Sequence, residues 1–158
     1  MADSDLIVPP IPQDSPVPKA PKLSWADFTT TQTYKGLGPD ARDALKQKWI
    51  LNYGQALVEK AATDVGVHPP LLDAMMQVES SGGKNMGYSP KGAWGPLQLL
   101  PVAAAEVGED RMDPERNIYG GAKYLLKMLD MFGNSPARAL AAYKRGIYNR
   151  FHIVSEDF

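Results

Sequence analysis

The residue most able to do chemistry is Glu79. It closes a run, 69–79, whose spacing predicts a helix: residues three and four apart share a face, so Leu71, Met75 and Glu79 fall on one stripe, with Leu72 and Met76 beside it. The carboxyl therefore stands where the next buried apolar side chain belongs. It also stands at the C-terminal end of the helix, where the macrodipole disfavours negative charge. Burial and dipole both favour the neutral form, so the proton should be held to unusually high pH. A carboxylic acid that is still protonated near neutrality is what a general acid requires.

The competing interpretation is a Glu fraying into solvent at a helix end, and position alone favours it. The residues that follow weigh against it. Ser80-Ser81-Gly82-Gly83 stops the helix and leaves backbone exposed beside the carboxyl. A segment too rich in Gly and Pro for a long helix comes next, Ser89-Pro90-Lys91-Gly92-Ala93-Trp94-Gly95-Pro96-Leu97-Gln98-Leu99-Leu100-Pro101. Its Trp94 and Gln98 have the chemistry to face a polar, ring-shaped ligand. Several other chemistries are excluded. There is no Gly-rich phosphate loop after a strand, no G-x-S-x-G elbow and no His-Glu-x-x-His. The absence of cysteine removes thiolate chemistry and disulfides. His68 and His152 lack metal-ligand spacing, so neither a metal nor a cofactor is expected. One well-placed acid with a loop around it suits glycosidic bond cleavage, which usually enlists a second carboxylate. None is obvious within the loop. Asp73, Glu106, Glu109, Asp110 and Asp113 are the nearest acids outside it.

The elements that must position this acid read as helices. Pro39 suits a first helical position, and Leu45, Trp49, Tyr53, Leu57, Ala61 and Val65 recur at four-residue spacing up to a stop at Gly66. Gly54 is expected to break this run into two helices. Pro101 starts a short helix ending at Gly108. Asp113-Pro114 is a capped start for a helix whose apolar stripe is Ile118, Ala122, Leu125, Leu129 and Phe132. Gly120 and Gly121 in that helix predict another chain segment packed closely against it. Ser135-Pro136 starts a last helix. At most a small hairpin fits between residues 82 and 98.

Composition is that of an ordinary soluble globular chain: 158 residues, 44% hydrophobic, 22% charged and a formal net charge of −1. No field points to nucleic acid or an anionic membrane. No apolar run approaches the ~20 residues that span a bilayer. The start, Met1-Ala2-Asp3-Ser4-Asp5, is acidic and is followed by no apolar core, unlike a signal peptide. Six of the 14 prolines lie within residues 1–22, which predicts an extended arm. Residues 1–38 are assigned to this arm and linker, and residues 39–158 to the catalytic domain.

Four segments together resemble one family, the soluble lytic transglycosylases. Gln77-Val78-Glu79-Ser80-Ser81-Gly82 is similar to their catalytic Glu-Ser motif. The segment from Gly92 to Pro101 resembles their Gly-Ala-x-Gly-Leu-Met-Gln-Ile-Met-Pro. Asn117-Ile118 with Gly121 and Tyr124-Leu125 resembles the following helix, and Ala139-Leu140-Ala141-Ala142-Tyr143 the start of their Ala-Leu-Ala-Ala-Tyr-Asn-Ala-Gly. Departures are Pro96-Leu97 for Leu-Met and Lys144-Arg145 for Asn-Ala.

The resemblance implies a mainly α, goose-lysozyme-like domain with a single-acid mechanism on peptidoglycan. Glu79 would protonate the β-1,4 oxygen between N-acetylmuramic acid and N-acetylglucosamine. The resulting carboxylate would take the C6 hydroxyl proton of the muramyl ring and leave a 1,6-anhydro end, with no water consumed. Tyr143 would hydrogen-bond and orient Glu79, and Ser80 would support the site. Gln98, Ser89, Gly95, Leu97 and Asn117 would bind substrate. The alternatives are a hydrolytic muramidase on the same fold, or a structural or adaptor protein with a relic site. A wall-degrading enzyme without a signal peptide must be carried to its substrate. The expected location is a bacteriophage virion, with the arm ordered on a neighbouring particle protein and the enzyme acting on the host wall during DNA ejection. A secretion-system component and a phage lysis enzyme are the other routes.

Overall fold

The long helix around which everything packs begins where a proline makes it begin. In the computed structural model, which describes residues 19–144, Pro39 occupies the first turn of a 27-residue helix, Pro39–Val65, stopped by Gly66 in the left-handed conformation at φ 96°. In chain order the helices are α1 (Trp25–Phe28), α2 (Gln32–Lys35), α3 (Pro39–Val65), α4 (Pro69–Ser80), α5 (Pro101–Val107) and α6 (Pro114–Met131). A last helix, α7, runs over 136–144. α3 lies against both α4 and α6, and α5 packs on α6. The core between them takes Leu57, Val58, Ala61 and Ala62 from α3, Leu72, Met75 and Met76 from α4, and Ile118, Ala122, Leu125 and Met128 from α6. The four-residue stripes of α3 and α6 thus face inward as expected, and the fold is mainly α. Among the described residues no helix is long and apolar enough to cross a membrane.

Three local expectations change. The break at Gly54 does not occur. Gly54 is buried inside a continuous α3, where an added Cβ would lie 3.2 Å from Ile50 Cγ2 and 3.6 Å from Met76 Cε. The residue serves close approach of α4, and packing outweighs the ~1 kcal/mol propensity cost of a mid-helix glycine. The hairpin is reduced to one antiparallel bridge, Trp94 to Leu99, closed by two N–H···O bonds of 3.0 Å.

The third change concerns the arm. Residues 1–18 lie outside the described residues, but within the rest of the segment assigned to an arm through residue 38, Trp25–Phe28 and Gln32–Lys35 are helical. α1 and α2 are capped by Ser24 Oγ and Thr31 Oγ1, which accept from the N–H groups of Asp27 and Tyr34. Trp25 is only 3% exposed and packs edge-on against Trp49 at 5.3 Å and Tyr34 at 5.7 Å. Trp49 in turn donates its indole N–H to Glu115 on α6, at 2.9 Å. The packed body therefore extends back at least to Trp25. Four-residue helices have no hydrophobic period for a sequence reading to find.

Candidate active site

The end of α4 is built to hold one carboxyl in place. Past Ser80, the residues Ser81, Gly82 and Gly83 all take positive φ, at 52°, 70° and 94°. A side chain at Gly83 would run into Ile50, whose Cγ2 would lie 2.5 Å from the added Cβ. Ser80 is buried. Its Oγ donates to the Met76 carbonyl at 3.2 Å and accepts from the Gly83 N–H at 2.9 Å, while its carbonyl accepts from Asn85 N–H at 2.8 Å. The chain reverses tightly here, and Glu79 is fixed one residue before the reversal. Ser80 thus holds the turn through its hydroxyl and its carbonyl.

Glu79 itself is half-buried, and burial raises its carboxyl above the ordinary carboxylate range. The positive charge of Lys144 opposes that rise. No hydrogen bond and no second carboxylate among the described residues contributes to the proton affinity. Of the two expected causes, burial and the helix dipole, burial is the one seen, and the side chain does not fray into water.

The loop from residue 92 to 100 is locked by Asn117. That side chain is fully buried on α6. Its Nδ2 donates to the carbonyls of Trp94 at 2.8 Å and Arg111 at 3.1 Å, and its Oδ1 accepts from the Leu97 N–H at 2.9 Å. The lock requires Gly95, at φ 95°, because a Cβ there would lie 2.2 Å from Asn117 Nδ2. Gly121 does the same for Leu97, whose Cγ would stand 2.5 Å from an added Cβ, and Gly120 for Leu99, with Cδ1 at 2.7 Å. The close approach predicted by these two glycines is this loop. Arg111 closes it further, donating to the carbonyls of Gly92 at 2.7 Å and Leu99 at 2.9 Å.

These contacts reassign most of the expected sugar-binding residues. Leu97, Asn117 and Gly95 are buried and shape the loop from inside. Ser89 Oγ accepts from Ala93 N–H at 3.0 Å and closes its own turn. Gln98 sits at φ 48° and commits its amide N–H groups to the carbonyls of Gly87 at 3.1 Å and Gly95 at 3.0 Å. Trp94 is 8% exposed, with Lys46 Nζ 5.2 Å from its ring centroid, so most of its indole is covered. Tyr143 also differs from expectation. Its hydroxyl donates to the Leu97 carbonyl at 2.7 Å, which ties α7 to the loop. Burial, then the nearby Glu79 charge, raise its phenol well above the usual range. Tyr143 is therefore a neighbour of Glu79 that holds the loop, and its proton is donated away from the acid.

Sequence reasoning missed Arg111, which no local pattern marks, and the charge of Lys144 at Glu79. The second was legible as the cation replacing the family's Asn.

The transglycosylase SLT domain model matches residues 56–154, of which 145–154 lie outside the described residues. A protein named "Transglycosylase" from Enterobacteria phage PRD1 is 39% identical over 87 residues, covering 54% of this chain and 32% of its own length. The "Membrane-bound lytic murein transglycosylase F" of Cronobacter sakazakii is 35% identical over 99 residues, covering 58% of this chain and 18% of its own. An Alkalilimnicola ehrlichii protein named "Membrane-bound lytic murein transglycosylase F 1" is 37% identical over 95 residues, 56% of this chain and 19% of its own. The chain thus spans less than a third of each of these relatives. Because the domain match takes in Glu79 with the helices and loop that hold it, and runs over more than half of the 158 residues, the chain belongs to the transglycosylase SLT domain family.

Proposed function

We propose that the chain is a peptidoglycan lytic transglycosylase in which Glu79 serves in turn as acid and base. The observation that carries this reading is a half-buried carboxyl with raised proton affinity and no carboxylate partner among the described residues. Among the described residues a water-activating base has no candidate beside it, so an intramolecular nucleophile fits the site better than hydrolysis does. Glu79 gives its proton to the glycosidic oxygen as the C1–O bond breaks. The C6 hydroxyl oxygen of the muramyl ring then bonds to C1, and its proton passes to the Glu79 carboxylate. The acid is restored and a 1,6-anhydro end remains. Gly95, Leu97, Asn117 and Tyr143 act by holding the loop, and Ser80 by holding the turn. Digestion of purified peptidoglycan with wild type and Glu79→Gln tests this. Anhydromuramyl ends from wild type alone support it. Reducing ends would mean a hydrolytic muramidase, and no cleavage by folded wild type would mean a relic site.

The phage PRD1 relative supports carriage in a virion, and the murein transglycosylases support action on the wall. Residues 1–22 serve as the tether to a neighbouring particle protein. Mass spectrometry of purified particles checks the assignment: a chain found only free in lysing cells removes it.

A further inference from the structure

The turn that fixes Glu79 has a second face. Beyond it, the chain from Lys84 to Tyr88 walls an open cleft of about 430 Å3, whose lining contains neither Glu79 nor Tyr143. α3 supplies Asp43 and Gln47 to the opposite wall, and Trp94 contributes from the locked loop. The walls are fixed relative to each other. Gln47 Nε2 donates to the carbonyls of Gly83 at 3.3 Å and Lys84 at 2.8 Å, and Asn85 N–H is bonded to Ser80. The cleft is therefore built rather than a gap between mobile loops, and it begins a few residues past the acid. Tyr88, 65% exposed, stands at its edge with its hydroxyl 3.7 Å from Met112 Sδ and Arg111 5.8 Å from its ring centroid.

Its chemistry is that of an amphoteric ligand. Asp43 and Lys84 are exposed and of opposite charge, and among the described residues neither forms an ion pair. Asn85 adds an amide and Tyr88 an accessible ring. A neutral hexosamine would use the amide and ring but neither charge. The peptide stem of peptidoglycan carries both carboxylates and an amino group. We propose that this cleft binds the peptide stem of the muramyl residue near the bond being cut, with Lys84 meeting a stem carboxylate and Asp43 its ammonium. The proposal rests on the peptidoglycan reading above and adds a specificity for peptide-bearing over stripped strands.

The test uses the full chain and the Asp43→Asn, Lys84→Gln double variant. Both positions are surface positions, and circular dichroism confirms folding. Free stem tetrapeptide containing diaminopimelate is titrated by NMR, alongside a peptide-free N-acetylglucosamine tetramer. The peptide should shift Asn85 and Tyr88 resonances, with affinity roughly threefold to tenfold weaker in the double variant, the scale of two exposed charge pairs. The ratio of cleavage rates on peptide-bearing and amidase-stripped strands should fall by a similar factor. Equal peptide affinity in wild type and variant, or the tetramer alone shifting Asn85 and Tyr88, overturns the proposal. The titration needs no turnover. Peptide binding without any strand cleavage would sink the catalytic reading and leave the cleft, whereas anhydro products without peptide binding would do the reverse.

Discussion

Glu79 at the end of α4 and Asp113 at the start of α6 are both carboxyls withdrawn from water, and burial raises the proton affinity of both. Their surroundings differ. Asp113 Oδ1 accepts the N–H groups of Glu115 at 2.9 Å and Arg116 at 3.1 Å, the ordinary work of a helix cap. Glu115, in the first turn of the same helix and also raised by burial, accepts the Trp49 indole N–H. Those bonds favour the charged form and partly offset desolvation. Glu79 has no such donor among the described residues, only the charge of Lys144. A raised carboxyl is therefore not in itself a catalytic one. What sets Glu79 apart is a carboxyl left without a hydrogen-bond donor by the described residues.

The largest expected effect separates these acids directly. Glu79→Gln should lower peptidoglycan cleavage by about a thousandfold or more, within the range of general-acid contributions, with the melting temperature kept. Asp113→Asn at comparable folded fraction should retain most activity. Equal losses in the two variants would erase the contrast.

Next in size is the lock behind the loop. Asn117→Ala removes three bonds to buried backbone, and should cost about 3 kcal/mol in urea unfolding. A cost below 1 kcal/mol would mean that the loop is held without it. Asp113→Ala should cost only about 1 kcal/mol, the usual loss for an N-cap. If that variant destabilises as much as Asn117→Ala, the carboxyl does more than cap.

The smallest effect is on pH dependence. In the proposed mechanism Glu79 acts protonated, so its contribution to kcat/KM should be lost as pH rises through its raised pKa. Lys144 stabilises the carboxylate, so Lys144→Asn should move this alkaline limb to higher pH. A limb that moves down, or stays, contradicts the proximity of that charge. Stability follows the same sign. A carboxyl raised in the folded state supports folding fully below its unfolded pKa and loses that support as pH rises through the folded pKa. Glu79→Gln should therefore lose less stability than wild type between acidic and neutral pH.

Much of this contrast was legible in the chain itself. Ser-Ser-Gly-Gly after Glu79 and Asp-Pro at 113–114 are local signals, and both produced the expected turn and cap. The stripes of α3 and α6 were readable because a helix repeats its face every three to four residues. The roles of individual loop residues were not. Ser89, Gln98 and Leu97 have side chains that either a sugar or the loop's own backbone can use, and type alone does not choose between them.

By itself, the sequence determined the outer limits of α3 to α6, which acid ends one of them on its buried stripe, and the family to which the chain belongs. These follow from interactions within a few residues, or from residue identities directly. Only the tertiary structure decided that Tyr143 bonds Leu97, 46 residues away, that Asn117 locks a loop 20 residues before it, and that Trp25 and Trp49 join the body through Glu115. Such partners are selected by which buried polar groups and rings meet when α3, α6 and α7 pack. A buried donor must find an acceptor, and the acceptor it finds is set by the packing geometry.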